Sequence, residues 1–138
     1  MQFGGESVTI EAERVDFIGV PVRDVAVADE FYGKTLGLER NPNSSDRWIE
    51  YETGNVTLAL VPLEYMGGRD FQPLPPSAIA IRVPDVEEAR RKLEEAGVEV
   101  HGDMIDSGVC HIAPFSDPDG NGLMLHRRYA PYDDGTNP

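Results

Sequence analysis

Positive charge and cysteine are both scarce in this chain, and each shortage removes a class of function. Twelve Lys and Arg stand against 25 Asp and Glu, for a net charge of −13. Nucleic acid and anionic membrane surfaces need clustered cations to neutralise phosphate, so neither is a partner. A field of this sign suits a cationic ligand or serves solubility alone. With one cysteine, Cys110, no intrachain disulfide can form, and an oxidising compartment is not indicated. The N-terminal stretch MQFGGESVTIEAE has neither a basic start nor an apolar run, which excludes a signal peptide or membrane span there. These features point to a cytoplasmic protein. Its 138 residues and 40% apolar content are enough for one domain with a real core.

What is present is organised around Phe115 to Leu125, FSDPDGNGLML. Asp117, Pro118, Asp119 and Gly120 are turn formers, and apolar residues flank them, so the stretch reads as strand, tight loop, strand. Beyond Asn121, Leu123 and Leu125 share one strand face, while Gly122, Met124 and His126 share the other. One face builds a core; the other can line a cavity.

Residues 1–13 form an N-terminal arm, weakly alternating through Val8 and Ile10, that could add an edge strand. Residues 14–61 form a first module: a strand over Arg14–Val22, a helix from Val25 to Leu36 capped by Asp24 and stopped by Gly37, then strands over Arg47–Thr53 and Val56–Val61. Residues 62–77, with Pro62, Pro73, Pro75, Pro76 and the Gly67-Gly68 pair, break every periodicity and read as a linker or lid. Residues 78–129 repeat the plan. A strand spans Ala78–Val83, a helix capped by Asp85 spans Val86–Ala96, and strands follow over Val98–Val100, Val109–Phe115 and Gly122–Arg128. Residues 130–138 are a polar tail expected to fray. Val22-Arg23-Asp24-Val25 returns as Val83-Pro84-Asp85-Val86, and Gly37-Leu38-Glu39 as Gly97-Val98-Glu99, each about 60 residues on. Duplicated modules of this kind pack into one curved sheet with a cleft between the halves.

The two-module layout, with FIGVPVRD before the first helix, FYGKTLGLE ending it and FSDPDGN near the C-terminus, resembles the vicinal oxygen chelate superfamily of glyoxalases, bleomycin-resistance proteins and extradiol dioxygenases. The resemblance spans Val15 to Arg128. It implies an α+β fold of two tandem βαβββ modules, a curved mixed sheet around a cleft with the helices outside. It also implies a homodimer that forms or completes the cleft. It is specific for the fold and weak for activity, since isomerases, lyases, oxygenases and binding proteins share this scaffold. Metal-dependent members draw four ligands from the first and last strands of each module. Those positions fall here at Phe17, Ala59, Ala78 and Met124, and none of these side chains can hold a hard divalent ion. No cofactor is therefore expected, with a divalent metal the less favoured alternative.

Several residues could still carry chemistry. His126 shares the face of Met124, and His111 on the neighbouring strand joins it if that residue points the same way. The two are then an acid and a base or ligands of a displaced metal, or else each is a hydrogen-bonded strand histidine. Cys110 points away from His111 and reads as a small buried hydrophobe. Arg82 shares the face of Ala78, where it either clamps a carboxylate or phosphate or forms a rim ion pair. Trp48, Glu50 and Glu52 alternate against Ile49 and Tyr51. That face either holds a planar cationic ligand or is plain solvated strand. Phe17 and Met124 either make an apolar cavity floor or are core, and Phe115 is counted with the cavity. The leading expectation is a protein that binds a small molecule, aromatic compounds included, in a metal-free cleft. The competing one is a lyase, isomerase or dioxygenase using His111 and His126, with Glu50 or Glu52, as acid, base or nonstandard metal ligands.

Overall fold

Two aspartates set the plan. In the computed structural model, which describes residues 8–138, the Asp24 carboxylate accepts the N–H groups of Ala26 and Val27 at 3.0 and 3.2 Å, and Asp85 accepts that of Glu88 at 3.0 Å. Each thus satisfies donors that the first helical turn leaves open, and each turns a strand into a helix. In chain order the elements are β1 Phe17–Val22, α1 Val25–Asp29 with a wider π-wound continuation Glu30–Thr35, β2 Glu39–Arg40, β3 Ile49–Glu52 and β4 Thr57–Pro62. A single 3-10 turn Leu63–Tyr65 follows, then β5 Ile79–Arg82, α2 Val86–Glu95, β6 Ile105–Asp106, β7 Cys110–Ser116 and β8 Gly122–Arg128. Gly37 and Gly97 follow the helices at φ of +73° and +80°, the left-handed region in which glycine ends a helix without steric cost.

Each module builds its own four-stranded mixed sheet, in the orders β1-β4-β3-β2 and β5-β8-β7-β6. The fold is α+β with tandem βαβββ modules. The edge strands β1 and β5 do not pair, so two sheets replace the one continuous sheet expected. One core nevertheless serves both. Val20, Val22, Ala28, Phe31, Tyr32, Ile49, Tyr51 and Leu60 of the first module join Val86, Leu93, Ala113, Phe115, Leu123 and Leu125 of the second. Phe31 lies 6.4 Å from Phe115, ring centre to ring centre, across the module boundary. On α2, the largely covered Arg90 reaches Glu94 at 2.8 Å and the exposed Arg91 reaches Glu95 at 3.4 Å, both at the i, i+4 spacing.

Four expectations need correction. Residues 1–7 of the arm lie outside the described residues, and Val8 to Asp16 form no strand, with Val8 and Ile10 open to solvent. The stretch expected as a strand at Val98–Val100 makes only one bridge, Val100 to Phe115, while the short strands β2 and β6 close the sheets instead. The tail does not simply fray: Arg128 donates to the carbonyls of Ala130 and Pro131 at 3.0 and 2.9 Å and stacks its guanidinium on Tyr132. Cys110 is partly exposed rather than buried.

Two core tyrosines carry a pH prediction. Burial, then the neighbouring Asp117 carboxylate, pushes the Tyr32 phenol far above its ordinary value. Burial, then its hydrogen bond to Asp29, does the same to Tyr51. A raised folded-state value means the stabilisation is complete below the unfolded value near 10 and is lost as pH rises beyond it. The unfolding free energy from urea titration is expected to be unaffected by either group up to about pH 10, then to fall by up to ~1.4 kcal/mol per pH unit for each tyrosine. A midpoint flat to pH 11.5 would contradict this.

Candidate functional site

Strand alternation decides which side chains share a face. Val20, Val22, Ile49, Tyr51, Leu58 and Leu60 are buried on the helix side of the first sheet, which leaves Phe17, Gly19, Glu50, Glu52 and Ala59 on its outer face. In the second sheet Ala113, Phe115, Leu123 and Leu125 are buried against α2, and Ala78, Ala80, Arg82, Ile112, Met124 and His126 look outward. The registers repeat. Phe17 pairs with Thr57, two residues before Ala59, and the Ala78 N–H bonds to the Gly122 carbonyl at 3.1 Å, two residues before Met124. The same step thus relates Phe17 to Ala59 and Ala78 to Met124. These four side chains are two alanines, a phenylalanine and a methionine, with no oxygen or nitrogen donor among them. A hard divalent ion, which takes several such donors, does not fit them. Among the described residues, no three His, Cys, Asp or Glu side chains gather elsewhere in metal-binding proximity.

The first outer face is aromatic and acidic. Phe17 meets the Trp48 ring edge to face, with centroids 5.4 Å apart, and Tyr65 meets the same ring edge to face at 6.1 Å. Trp48 donates its Nε1–H to Glu50 Oε1 at 2.6 Å. Glu52 accepts from Asn41 Nδ2 at 2.6 Å and from Thr57 Oγ1 at 3.0 Å. Gly19 and Ala59 are the small floor between these groups, and a Cβ at Gly19 would stand 3.1 Å from Val61 Cγ2. Tyr65 escaped the sequence reading. It sits in the linker, where no periodicity assigns a face, and only the short turn after β4 swings it back over Trp48.

The second outer face carries Arg82, paired in register with His126, which pairs in turn with Ile112 of β7. Arg82 is exposed and, among the described residues, makes no ion pair, so the rim salt bridge does not form. The proposed histidine pair is not assembled. His111 is in register with Arg127, one step from the His126 to Ile112 pair, and so points to the opposite face of the sheet. It stacks on Tyr129 with centroids 4.7 Å apart and reaches Asp106 at 3.5 Å. The Gly108 N–H and then the Tyr129 hydroxyl hold the Asp106 carboxyl below the usual carboxylate range, and the same bond pushes the Tyr129 phenol up. Phe115 is likewise not a cavity residue: it is 1% exposed, in the core against Phe31. Both corrections have one cause, since a strand residue changes side at every step.

The turn on which the sequence centres is a junction between modules. Asp117 Oδ2 accepts from the Tyr32 hydroxyl at 2.7 Å and from Asn121 Nδ2 at 2.8 Å, while its Oδ1 accepts the N–H groups of Asp119 and Asn121. Asn121 also donates to the Pro21 carbonyl at 2.8 Å and accepts the Leu74 N–H at 2.7 Å. The end of β1, the first helix and the linker are thereby tied to the start of β8. A cavity of about 790 Å³ runs beside β5, lined by Ile18, Leu38, Leu58, Ala78, Ile81 and Arg82 among others. It brings Ala78 and Arg82 next to the first module, while Phe17, Trp48, Glu50, Ala59, Met124 and His126 do not line it.

Residues 14–125 match the model of the Glyoxalase/Bleomycin resistance protein/Dioxygenase superfamily. No curated protein matches the sequence. Among solved structures, the chain is similar to TnmS3, an antibiotic-binding protein from Streptomyces sp. CB03234, at 26% identity over 87% of this chain and 99% of that one, with a TM-score of 0.68. A glyoxalase/bleomycin resistance protein from the same organism is 28% identical over 83% of this chain and 100% of its own, with a TM-score of 0.64. A superfamily member from Sphaerobacter thermophilus DSM 20745 is 27% identical over 85% and 98%, with a TM-score of 0.67.

Proposed function

The chain belongs to the Glyoxalase/Bleomycin resistance protein/Dioxygenase superfamily, and on that premise we propose that it is a binding protein that holds a small, aromatic molecule without a metal. The observation that carries this reading is the replacement of all four equivalent positions on the outer sheet faces by Phe17, Ala59, Ala78 and Met124. Apolar side chains there trade metal affinity for a surface that packs against carbon. TnmS3, similar in fold, binds an antibiotic, which supports small-molecule binding as a use of this scaffold. A second copy of the chain completes the cleft, because the first outer face alone is open at Phe17, which is 44% exposed, although Ala59 at its floor is buried. The face bearing Trp48 and Glu50 on one protomer then lies opposite that bearing Arg82, Met124 and His126 on its partner. No described helix is long and apolar enough to cross a membrane, and the lone Cys110 fits the reducing cytoplasm.

The enzyme reading has His111 and His126 act with Glu50 or Glu52, and the two histidines point to opposite faces. His126 alone remains beside Met124. The test combines sedimentation equilibrium with calorimetric titration of planar aromatic compounds after dialysis against a chelator. A dimer is expected, with affinity unchanged by metal removal and within about threefold in His126→Ala. Affinity that vanishes with the chelator and returns with one divalent ion would overturn the proposal. So would turnover that falls by ~10² or more in His126→Ala, the loss typical of a general base.

A further inference from the structure

The outer face of the first sheet holds an unusual combination for a surface in water. Phe17 from β1, Trp48 before β3 and Tyr65 from the turn after β4 form one cluster, the two pairs meeting at interplanar angles of 81° and 77°. Rings set edge to face in this way present their electron-rich faces in different directions around a common point of contact. They are not covered as core rings are: Phe17 is 44% and Tyr65 52% exposed. Next to them stands Glu50, partly buried, with Oε1 taken by the Trp48 indole at 2.6 Å. Among the described residues its Oε2 has no donor, and no Lys, Arg or His reaches the carboxylate within ion-pair distance. Arg40 of β2 is committed to Asp29 at 3.5 Å, on the helix side.

A partly buried carboxylate with no cation, beside an exposed cluster of aromatic rings, is complementary to one kind of group. A cation–π site prefers a positive charge spread over an apolar shell, and a neighbouring carboxylate adds a Coulomb term that strengthens as water leaves. A hard inorganic cation does not suit it, since one carboxylate supplies too few oxygens. We propose that Phe17, Trp48, Tyr65 and Glu50 receive the ammonium group, protonated or alkylated, of an organic amine. This rests on the binding function proposed above and names the chemistry of its ligand. The indole to Glu50 bond holds the two side chains together and leaves the second oxygen of Glu50 free.

The probes are benzyltrimethylammonium and its near-isosteric uncharged counterpart 2-methyl-1-phenyl-2-propanol. Titration calorimetry gives affinities, and the fluorescence of Trp48, the sole tryptophan, reports whether binding is at this face. The wild-type protein is expected to bind the ammonium at least about tenfold more tightly than the alcohol. Glu50→Gln, which keeps an acceptor for the indole and removes the charge, is expected to shrink that ratio to about threefold or less. Trp48→Phe, checked for folding by circular dichroism, is expected to weaken the ammonium and leave the alcohol closer to its original affinity. Equal affinity for the two probes, or a ratio unmoved by Glu50→Gln, overturns the ammonium assignment while the binding function stands. Failure of both probes to bind overturns both.

Discussion

Gly122→Ala is expected to destabilise the protein by about 3 kcal/mol or more, a large part of the 5–15 kcal/mol typical of a domain. The reason is space, not backbone conformation. A Cβ at Gly122 would lie 2.0 Å from the Pro75 carbonyl oxygen and 2.5 Å from the Pro76 Cα. Both are backbone atoms of a segment held on each side: the Gly122 N–H bonds to the Leu74 carbonyl at 3.1 Å, and Ala78 bonds to both Pro75 and Gly122. No flexible side-chain end is available to move aside, so either the linker lifts or β8 shifts. Urea unfolding of the variant measures the loss. An unfolding free energy within about 1 kcal/mol of wild type would mean that the linker does not lie on the strand in solution.

Asp117→Ala is expected to cost about 3–5 kcal/mol, through a different mechanism. Asp117 is 5% exposed, and its carboxylate accepts from four donors: the Tyr32 hydroxyl, the Asn121 side-chain amide and the N–H groups of Asp119 and Asn121. Removing it strands those donors where water has little access, and each unsatisfied group costs about 1–3 kcal/mol before relaxation. Asp117→Asn retains one oxygen acceptor and should fall between the two. Because Tyr32 belongs to the first module and Asp117 to the second, the loss should appear in both at once. Hydrogen exchange would show this as faster exchange in β1 and the first helix as well as in β8. A loss confined to the second module would contradict the role of this turn as a junction.

Much of the architecture was readable from local patterns. Asp24 and Asp85 announced the helix starts, Gly37 and Gly97 their ends, and the return of Val-X-Asp-Val disclosed the duplication. These signals are legible because capping and left-handed backbone are properties of a few adjacent atoms. The length of the first helix was legible too, but not its winding. The closing bond from the Leu36 N–H to the Phe31 carbonyl spans five residues, in a segment that buries both Phe31 and Tyr32 in the shared core. Tertiary packing overrides the ordinary helical spacing at that point.

The site divides along the same line. That Phe17, Ala59, Ala78 and Met124 lack metal-binding groups is a matter of residue identity, and alternation alone places Trp48 with Glu50 and Met124 with His126 on shared faces. What the chain could not announce is how neighbouring strands are offset. One step of register sends His111 to the helix side and leaves His126 outside, and the same step buries Phe115. Nor does any local rule bring Tyr65 out of an aperiodic linker onto Trp48, or carry Asn121 to the Pro21 carbonyl, 100 residues away. By itself the sequence determined the two modules, their caps and the chemical character of the outer faces. The tertiary structure decided which side chains meet, because register and long-range hydrogen bonds are set by the packing of one shared core.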